Sequence, residues 1–209
     1  MICCRIGDPE QAPGWKKRVC DIEVLEQAPA DPLQFDHPLW SEDRIEWSLL
    51  RQHSVLTKLF GIDSSTVPLV LRQVSEIDLF VRAGRDLHLV ELKGLKGKAP
   101  FKQWESALTQ IVKYWCQLGQ WLRHDAEHVH LWALCPIRWS ASEGVARVPK
   151  DWKSTIKDLK QSRLTGSHPA DLHLAFYSLF QDSSGRLLLM WRAEEETPRL
   201  NLTPGGRLR

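Results

Sequence analysis

The spacing of apolar and polar positions changes several times along the chain, and each change marks an element. Over residues 75–94, SEIDLFVRAGRDLHLVELKG, two apolar runs flank a break at Ala83-Gly84-Arg85-Asp86. That pattern predicts two short strands and a tight turn, with Gly84 supplying the permissive backbone of the connection. On the second strand Leu87, Leu89, Glu91 and Lys93 share one face, and His88, Val90 and Leu92 share the other. Both faces are largely apolar, which predicts a central strand covered on both sides. Upstream, Ile45, Leu49, Leu56 and Leu59, with Trp47 and Phe60 beside them, trace one helical stripe over 41–60. Ser41 reads as its N-cap, Glu42 and Asp43 suit the positive end of its dipole, Trp40 and Ile45 have staple spacing, and Gly61 ends it.

Residues 66–74 read as a strand, and Pro68 places it at an edge or the residue early in it. Downstream, Phe101, Trp104, Leu108, Ile111, Trp115, Leu118 and Leu122 recur in steps of three and four, predicting a long helix over 101–124. Residues 128–135 read as a buried strand and 150–159 as a short helix. Residues 172–180 and 187–192 read as a second hairpin around Asp182-Ser183-Ser184-Gly185. The fold class is therefore α/β: a mixed central sheet flanked by helices. Residues 1–40 form a proline-containing arm with a short strand at 18–25. The core covers 41–135, a C-terminal helix and hairpin at 136–193 extend it, and 194–209 read as a disordered tail.

Composition narrows the classes. A length of 209 residues suffices for one sizeable core, and a net charge of +2 excludes a bulk polycation while leaving room for a local basic groove. No apolar run approaches the roughly 20 residues of a spanning helix, so no membrane is expected as partner. Cys3, Cys4, Cys20, Cys116 and Cys135 form no CxxC pair, and without a secretory signal they are expected reduced, in the cytoplasm. His128 and His130 alternate onto one face, but as a metal pair they lack further ligands nearby; solvent-facing or core histidines are the expectation.

The chemistry lies in the first hairpin. Asp78 on one strand and Glu91 and Lys93 on the next bring two carboxylates and an ammonium to one place in an apolar sheet, which is costly. A divalent cation between the carboxylates would account for them. Glu46, at the edge of the first helical stripe, is placed to look into the same site, or else is a solvated helix carboxylate. Lys96 and Lys98, in the loop 94–100, and Lys102 after it are either phosphate contacts or solvated lysines. Gln110 and Tyr114 lie one turn apart on the long helix, with Lys113 between them.

In this order the residues resemble the PD-(D/E)xK, or restriction-endonuclease-like, nuclease superfamily, and within it the RecB-type nucleases. Asp78 matches the carboxylate of the second core strand, though Ile77 precedes it in place of proline. Glu91-Leu92-Lys93 matches the (D/E)xK, and Gln110-Ile111-Val112-Lys113-Tyr114 the helical QxxxY. The first-helix acid falls on Glu46, with Glu42 as the fallback. The resemblance covers about residues 41–135 and implies an αβββαβ core and metal-dependent hydrolysis of DNA, in repair, recombination or defence. It implies Mg²⁺ or Mn²⁺ held by Asp78, Glu91 and the backbone carbonyl of Leu92, with Glu46 completing the shell. Lys93 would orient or deprotonate the attacking water, or stabilise charge on phosphorus. Gln110 would hold the lysine, the water or a phosphate, Tyr114 would line the groove, and Lys96, Lys98, Lys102 and Lys113 would meet the nucleic acid. A catalytically silent nuclease fold that binds DNA or a partner protein is the second expectation. A structural protein with a buried ion pair is the third. Residues 1–40 or 136–209 are where a protein partner or a second copy would bind.

Overall fold

The computed structural model of the chain describes residues 22–25, 37–74, 76–95, 103–118, 126–137, 170–184, 186–193 and 200–202. The expected helix at 150–159 and the lysines Lys96, Lys98 and Lys102 lie outside the described residues. In chain order the elements are β1 (Ile22–Leu25), a 3-10 turn (Pro38–Trp40), α1 (Glu42–Arg51), α2 (His53–Phe60), β2 (Leu69–Val74), β3 (Ile77–Ala83), β4 (Asp86–Leu92), α3 (Gln103–Leu118), β5 (His128–Pro136), β6 (Ala170–Gln181), β7 (Leu187–Ala193) and β8 (Leu200–Leu202). They build one mixed sheet in the order β1-β7-β6-β5-β4-β3-β2, with β8 beside the start of β6. The β2/β3, β3/β4 and β6/β7 pairs are antiparallel; β4/β5, β5/β6 and β1/β7 are parallel.

The alternation along β4 divides two cores. Leu87 and Leu89 pack with Trp104, Leu108, Ile111 and Trp115 of α3 on one face. Val90 and Leu92 pack with Ile45 and Leu49 of α1 and Leu56 of α2 on the other. The strand is thus covered on both sides, as its two apolar faces require. β2 ends the sheet, and it begins directly after Pro68, where the missing amide costs no ladder bond. The first hairpin turns through Gly84, whose φ of +61° is the left-handed conformation such a turn needs.

Two expectations change. The helix expected over 41–60 is two helices: Gln52 leaves the helical region (φ −115°, ψ 72°) and serves as the C-cap of α1 and the N-cap of α2. Both helices bury their stripes in the same core, so one non-helical residue leaves the apolar spacing nearly intact. Ser41 stands at the N-cap of α1 but makes no side-chain cap bond. The stretch read as a disordered tail contributes β8, three residues paired with the start of β6; an element so short carries too few positions for a period to be read. No helix among the described residues is long and apolar enough to cross a membrane.

The second hairpin is closed by Asp182. Its Oδ1 accepts bonds from the Ser184 amide at 2.9 Å, the Ser184 hydroxyl at 2.6 Å and the Arg186 amide at 2.9 Å. Its Oδ2 accepts from the Arg186 guanidinium at 3.0 Å. The Ser184 hydroxyl foremost, then Arg186, hold the carboxyl down to about 2. A depressed carboxyl stabilises the fold above its ordinary pKa and loses that contribution as pH falls through about 2. The expected result is that the Ser184 and Arg186 amide resonances shift together with a midpoint near 2. In Asp182→Asn they stay flat over the same range. A midpoint at the ordinary aspartate value would remove the bonds' assigned role.

Candidate active site

β3 departs from regular pairing at Asp78. The β2/β3 register passes from Arg72↔Leu79 to Val74↔Ile77, and the β3/β4 register ends at Leu79↔Val90, so neither ladder includes Asp78. Across from it Gln73 adopts φ +56°, a left-handed conformation uncommon for a residue other than glycine, while the register on both sides stays unbroken. Where the β3/β4 ladder stops, the Asp78 carboxylate takes over: its Oδ2 accepts the Leu92 amide at 2.7 Å. The sequence therefore places a carboxylate, not a carbonyl, against the end of the ExK strand.

Asp78 is 6% exposed, and burial pushes its carboxyl up to about 8, with the charges of Glu91 and Glu46 adding to the rise. Glu91 and Lys93, two apart on one face, meet as an ion pair through Glu91 Oε1. The other oxygen, Glu91 Oε2, is buried and has no hydrogen-bond partner among the described residues. Burial also raises the Glu91 carboxyl against the lowering effect of Lys93. Burial acts against the Lys93 ammonium, but the Glu91 carboxylate outweighs it and holds the lysine above its usual pKa.

α1 brings two more carboxylates. Oxygens of Glu42, Glu46 and Asp78 lie within 4.8 Å of one another. Glu46 is 2% exposed, and its three hydrogen bonds all fall on Oε2: Arg72 Nη2 at 2.6 Å, Arg72 Nε at 3.1 Å and Gln73 Nε2 at 3.3 Å. Arg72 also bonds Asp43 at 3.0 Å and lies over the Trp47 ring at 4.4 Å. The guanidinium makes burial of Glu46 tolerable, although burial still raises its carboxyl.

The start of α1 is fixed against the end of β4 by the Lys93-Gly94-Leu95 backbone. Lys93 donates its amide to Leu134 at 2.9 Å and accepts the Tyr177 hydroxyl at its carbonyl. Gly94 donates to Glu42 Oε2 at 3.2 Å, and Leu95 donates to the Trp40 carbonyl at 3.1 Å. A Cβ on Gly94 would stand 2.5 Å from the Glu42 amide nitrogen and 2.6 Å from the Trp40 carbonyl oxygen. Only glycine admits this approach, and the approach sets Glu42 and Glu46 over Asp78.

The structure thus brings Asp78 and Glu46 together and adds Glu42 to them; Glu91, paired with Lys93, is not one of the three carboxylates within 4.8 Å, although its charge acts on Asp78. Leu92 enters through its amide; a role for its carbonyl rests on the resemblance alone. Tyr114 is buried on α3, and its phenol is raised by burial and then by the charges of Glu91, Glu76 and Asp78. Gln110 does not reach Lys93: its hydrogen bond is with the Ser106 hydroxyl at 3.2 Å, one turn back on α3. The preceding turn competes for a half-buried glutamine, and here it wins. Lys113 is exposed on the same helix. Arg72, Gln73, Gly94 and Tyr177 were not among the expected site residues. Of these, only the glycine directly after the ExK carries a signal in the sequence.

The donors fit a hard divalent cation. Three carboxylates converge within 4.8 Å with Arg72 bonded to one of them, the Glu91–Lys93 pair holds a further carboxylate whose second oxygen is buried without a partner among the described residues, and Asp78 is raised by burial and then by its anionic neighbours. Oxygen-rich, anionic and partly desolvated sets of this kind suit Mg²⁺ or Mn²⁺. A scan of known family models finds no match to the chain, and a search of curated proteins finds no relative.

Proposed function

We propose that the chain is a metal-dependent nuclease that hydrolyses DNA phosphodiester bonds at Asp78, Glu91 and Lys93. The observation that carries the reading is the buried Glu91 carboxylate: one oxygen on Lys93, the other without a partner among the described residues, with its charge acting on an Asp78 that burial raises toward protonation. A structural ion pair would use both oxygens or leave the spare one in water. The order α1–α2, β2, β3, β4, α3, β5, with β2, β3 and β4 antiparallel and β5 parallel to β4, supports a restriction-endonuclease-like core.

Asp78 and Glu91 would hold Mg²⁺ or Mn²⁺, with Glu46 and Glu42 beside them. When bound, the ion supplies positive charge for the phosphate oxygens and lowers the pKa of water. The residues do the rest. Asp78 Oδ2, fixed by the Leu92 amide, holds its carboxylate at one edge of the site. Glu91 holds the Lys93 ammonium in place, and that ammonium orients the attacking water and offsets negative charge growing on the phosphate. Arg72 favours the charged form of Glu46 against the burial that raises it. Tyr114, buried on α3, would close that side of the site.

The second reading, a silent nuclease fold that binds DNA or a protein, is favoured by one observation: Gln110 is bonded to Ser106 instead of Lys93. The test is incubation of the full chain with supercoiled plasmid, linear duplex and single strand in Mg²⁺ or Mn²⁺. Cleavage of at least one substrate that EDTA abolishes is the expected outcome. Binding of DNA without cleavage in either ion would favour the silent fold.

A further inference from the structure

On the opposite core face from Leu89 and Glu91, nearer the start of β4, a second group of ligating side chains converges. His130 of β5 is register partner of Asp171 of β6, and His173 lies two residues on, opposite Trp132. In a parallel pair these three side chains share a face. His130 Nδ1 and His173 Nε2 stand 3.1 Å apart, and Asp171 Oδ2 lies 4.0 Å from His130 Nδ1. One ligand atom from each of the three falls within 4.8 Å of the others. The expectation that His130 lacks further ligands is corrected here. They come from a strand some forty residues later, brought in by register.

The rings are held from behind. His173 stacks on Trp132 with centroids 4.1 Å apart and planes at 15°. His130 stacks on His88 at 4.7 Å and 16°. His88 itself is buried, lies against Phe60 and accepts the Trp132 indole N–H at 3.1 Å. Imidazoles fixed by aromatic stacking have little freedom left to lose when they bind an ion, which is the preorganisation a tight site needs. The side chains of His130 and Asp171 are 24% and 28% exposed, so the group opens to solvent on one side. Two nitrogens bound to one cation at about 2.0–2.1 Å, with ordinary bond angles, stand about 2.9–3.4 Å apart, and the observed pair falls inside that range. A modest rotation of Asp171 would bring its carboxylate to the same centre, with water at the open side.

We propose that His130, Asp171 and His173 form a second cation site that takes a divalent transition metal such as Zn²⁺, distinct from the carboxylate site. The donor sets argue for different ions: two imidazoles and one carboxylate prefer Zn²⁺ or Co²⁺, whereas the all-oxygen set at Asp78 prefers Mg²⁺ or Mn²⁺. The bound ion would clamp β5 to β6 across the parallel part of the sheet.

The test uses the full chain, stripped with chelator and titrated with Co²⁺ as the probe. The expected result is the intense visible bands of a low-coordinate, imidazole-bound ion, saturating at one such Co²⁺ per chain. Equimolar Zn²⁺ should displace it, and excess Mg²⁺ should not. His173→Phe, which keeps a ring on Trp132, should weaken binding on the order of 100-fold, and Asp171→Asn about 10-fold. Circular dichroism checks that both variants stay folded. Glu91→Gln should leave the bands unchanged. The proposal is overturned if the wild type develops no such bands, if His173→Phe binds Co²⁺ as tightly as the wild type, or if Glu91→Gln removes the bands. In the first two cases the short nitrogen–nitrogen contact is an N–H···N hydrogen bond and nothing more.

Discussion

Lys93→Ala should lower DNA cleavage by about 10²–10⁴-fold, the range seen when a positioned proton-transfer or charge-stabilising group is lost. The lysine side chain is 13% exposed and its partner Glu91 3% exposed, so the pair is largely desolvated. Removing the ammonium leaves a buried carboxylate with neither oxygen engaged by a cation, and a loss of about 3 kcal/mol in stability should accompany the loss of activity. The two effects separate in a second variant. In Lys93→Ala/Glu91→Gln the uncompensated charge is gone, so the melting temperature should recover most of the way while cleavage stays absent. A purely structural ion pair gives another pattern: the double variant regains stability and no Lys93-dependent cleavage exists to lose. Thermal unfolding and cleavage rate on the same preparations check both halves.

Gly94→Ala should destabilise the chain by about 3 kcal/mol, the upper part of the range for forced overpacking. In a chain of this size that corresponds to a fall in melting temperature of about 6–12 °C. The added methyl would stand 2.5 Å and 2.6 Å from backbone atoms of Glu42 and Trp40, neither of which is the free end of a flexible side chain. The segment has little room to retreat, because Lys93 is tied to Leu134 and Leu95 to Trp40. Relief must come from moving the start of α1, which carries Glu42 and Glu46 away from Asp78. Weaker Mn²⁺ binding should therefore accompany the lower melting point. Gly84→Ala is the control. Nothing lies within 4 Å of a Cβ there, but φ is +61°, so only the conformational cost of about 1 kcal/mol is expected. Equal effects at the two glycines would show that the close approach at Gly94 carries no special cost.

Local spacing made part of this site legible. Glu91 and Lys93 meet because period two puts them on one face, and the α3 stripe from Trp104 to Trp115 is buried as its spacing requires. The central position of β4 followed from its two apolar faces. Contacts between distant segments were less accessible. Arg72 reaches Glu46 only because α1 crosses the end of β2, and Gln73 reaches it from a left-handed backbone that glutamine does not advertise. His130 meets Asp171 and His173 through the β5/β6 register, which no periodicity within either strand reveals. The break at Gln52 was hidden because the stripes on both sides of it enter one core. Gln110 had the right spacing from Tyr114, but spacing does not decide whether a glutamine reaches forward to a lysine or back to a serine on its own helix.

The central claim is that the Asp78 and Glu91 carboxylates hold the ion on which phosphodiester hydrolysis depends. The most direct measurement is the rate of DNA cleavage against Mn²⁺ concentration for the wild type and for Glu91→Gln, on the substrate the wild type cuts best. Glutamine keeps the size of the side chain and a hydrogen-bonding oxygen for Lys93 but removes the charge. The prediction is saturable, EDTA-sensitive cleavage by the wild type and none by the folded variant at any Mn²⁺ concentration. Cleavage by Glu91→Gln at the wild-type rate and with the wild-type Mn²⁺ dependence would contradict it.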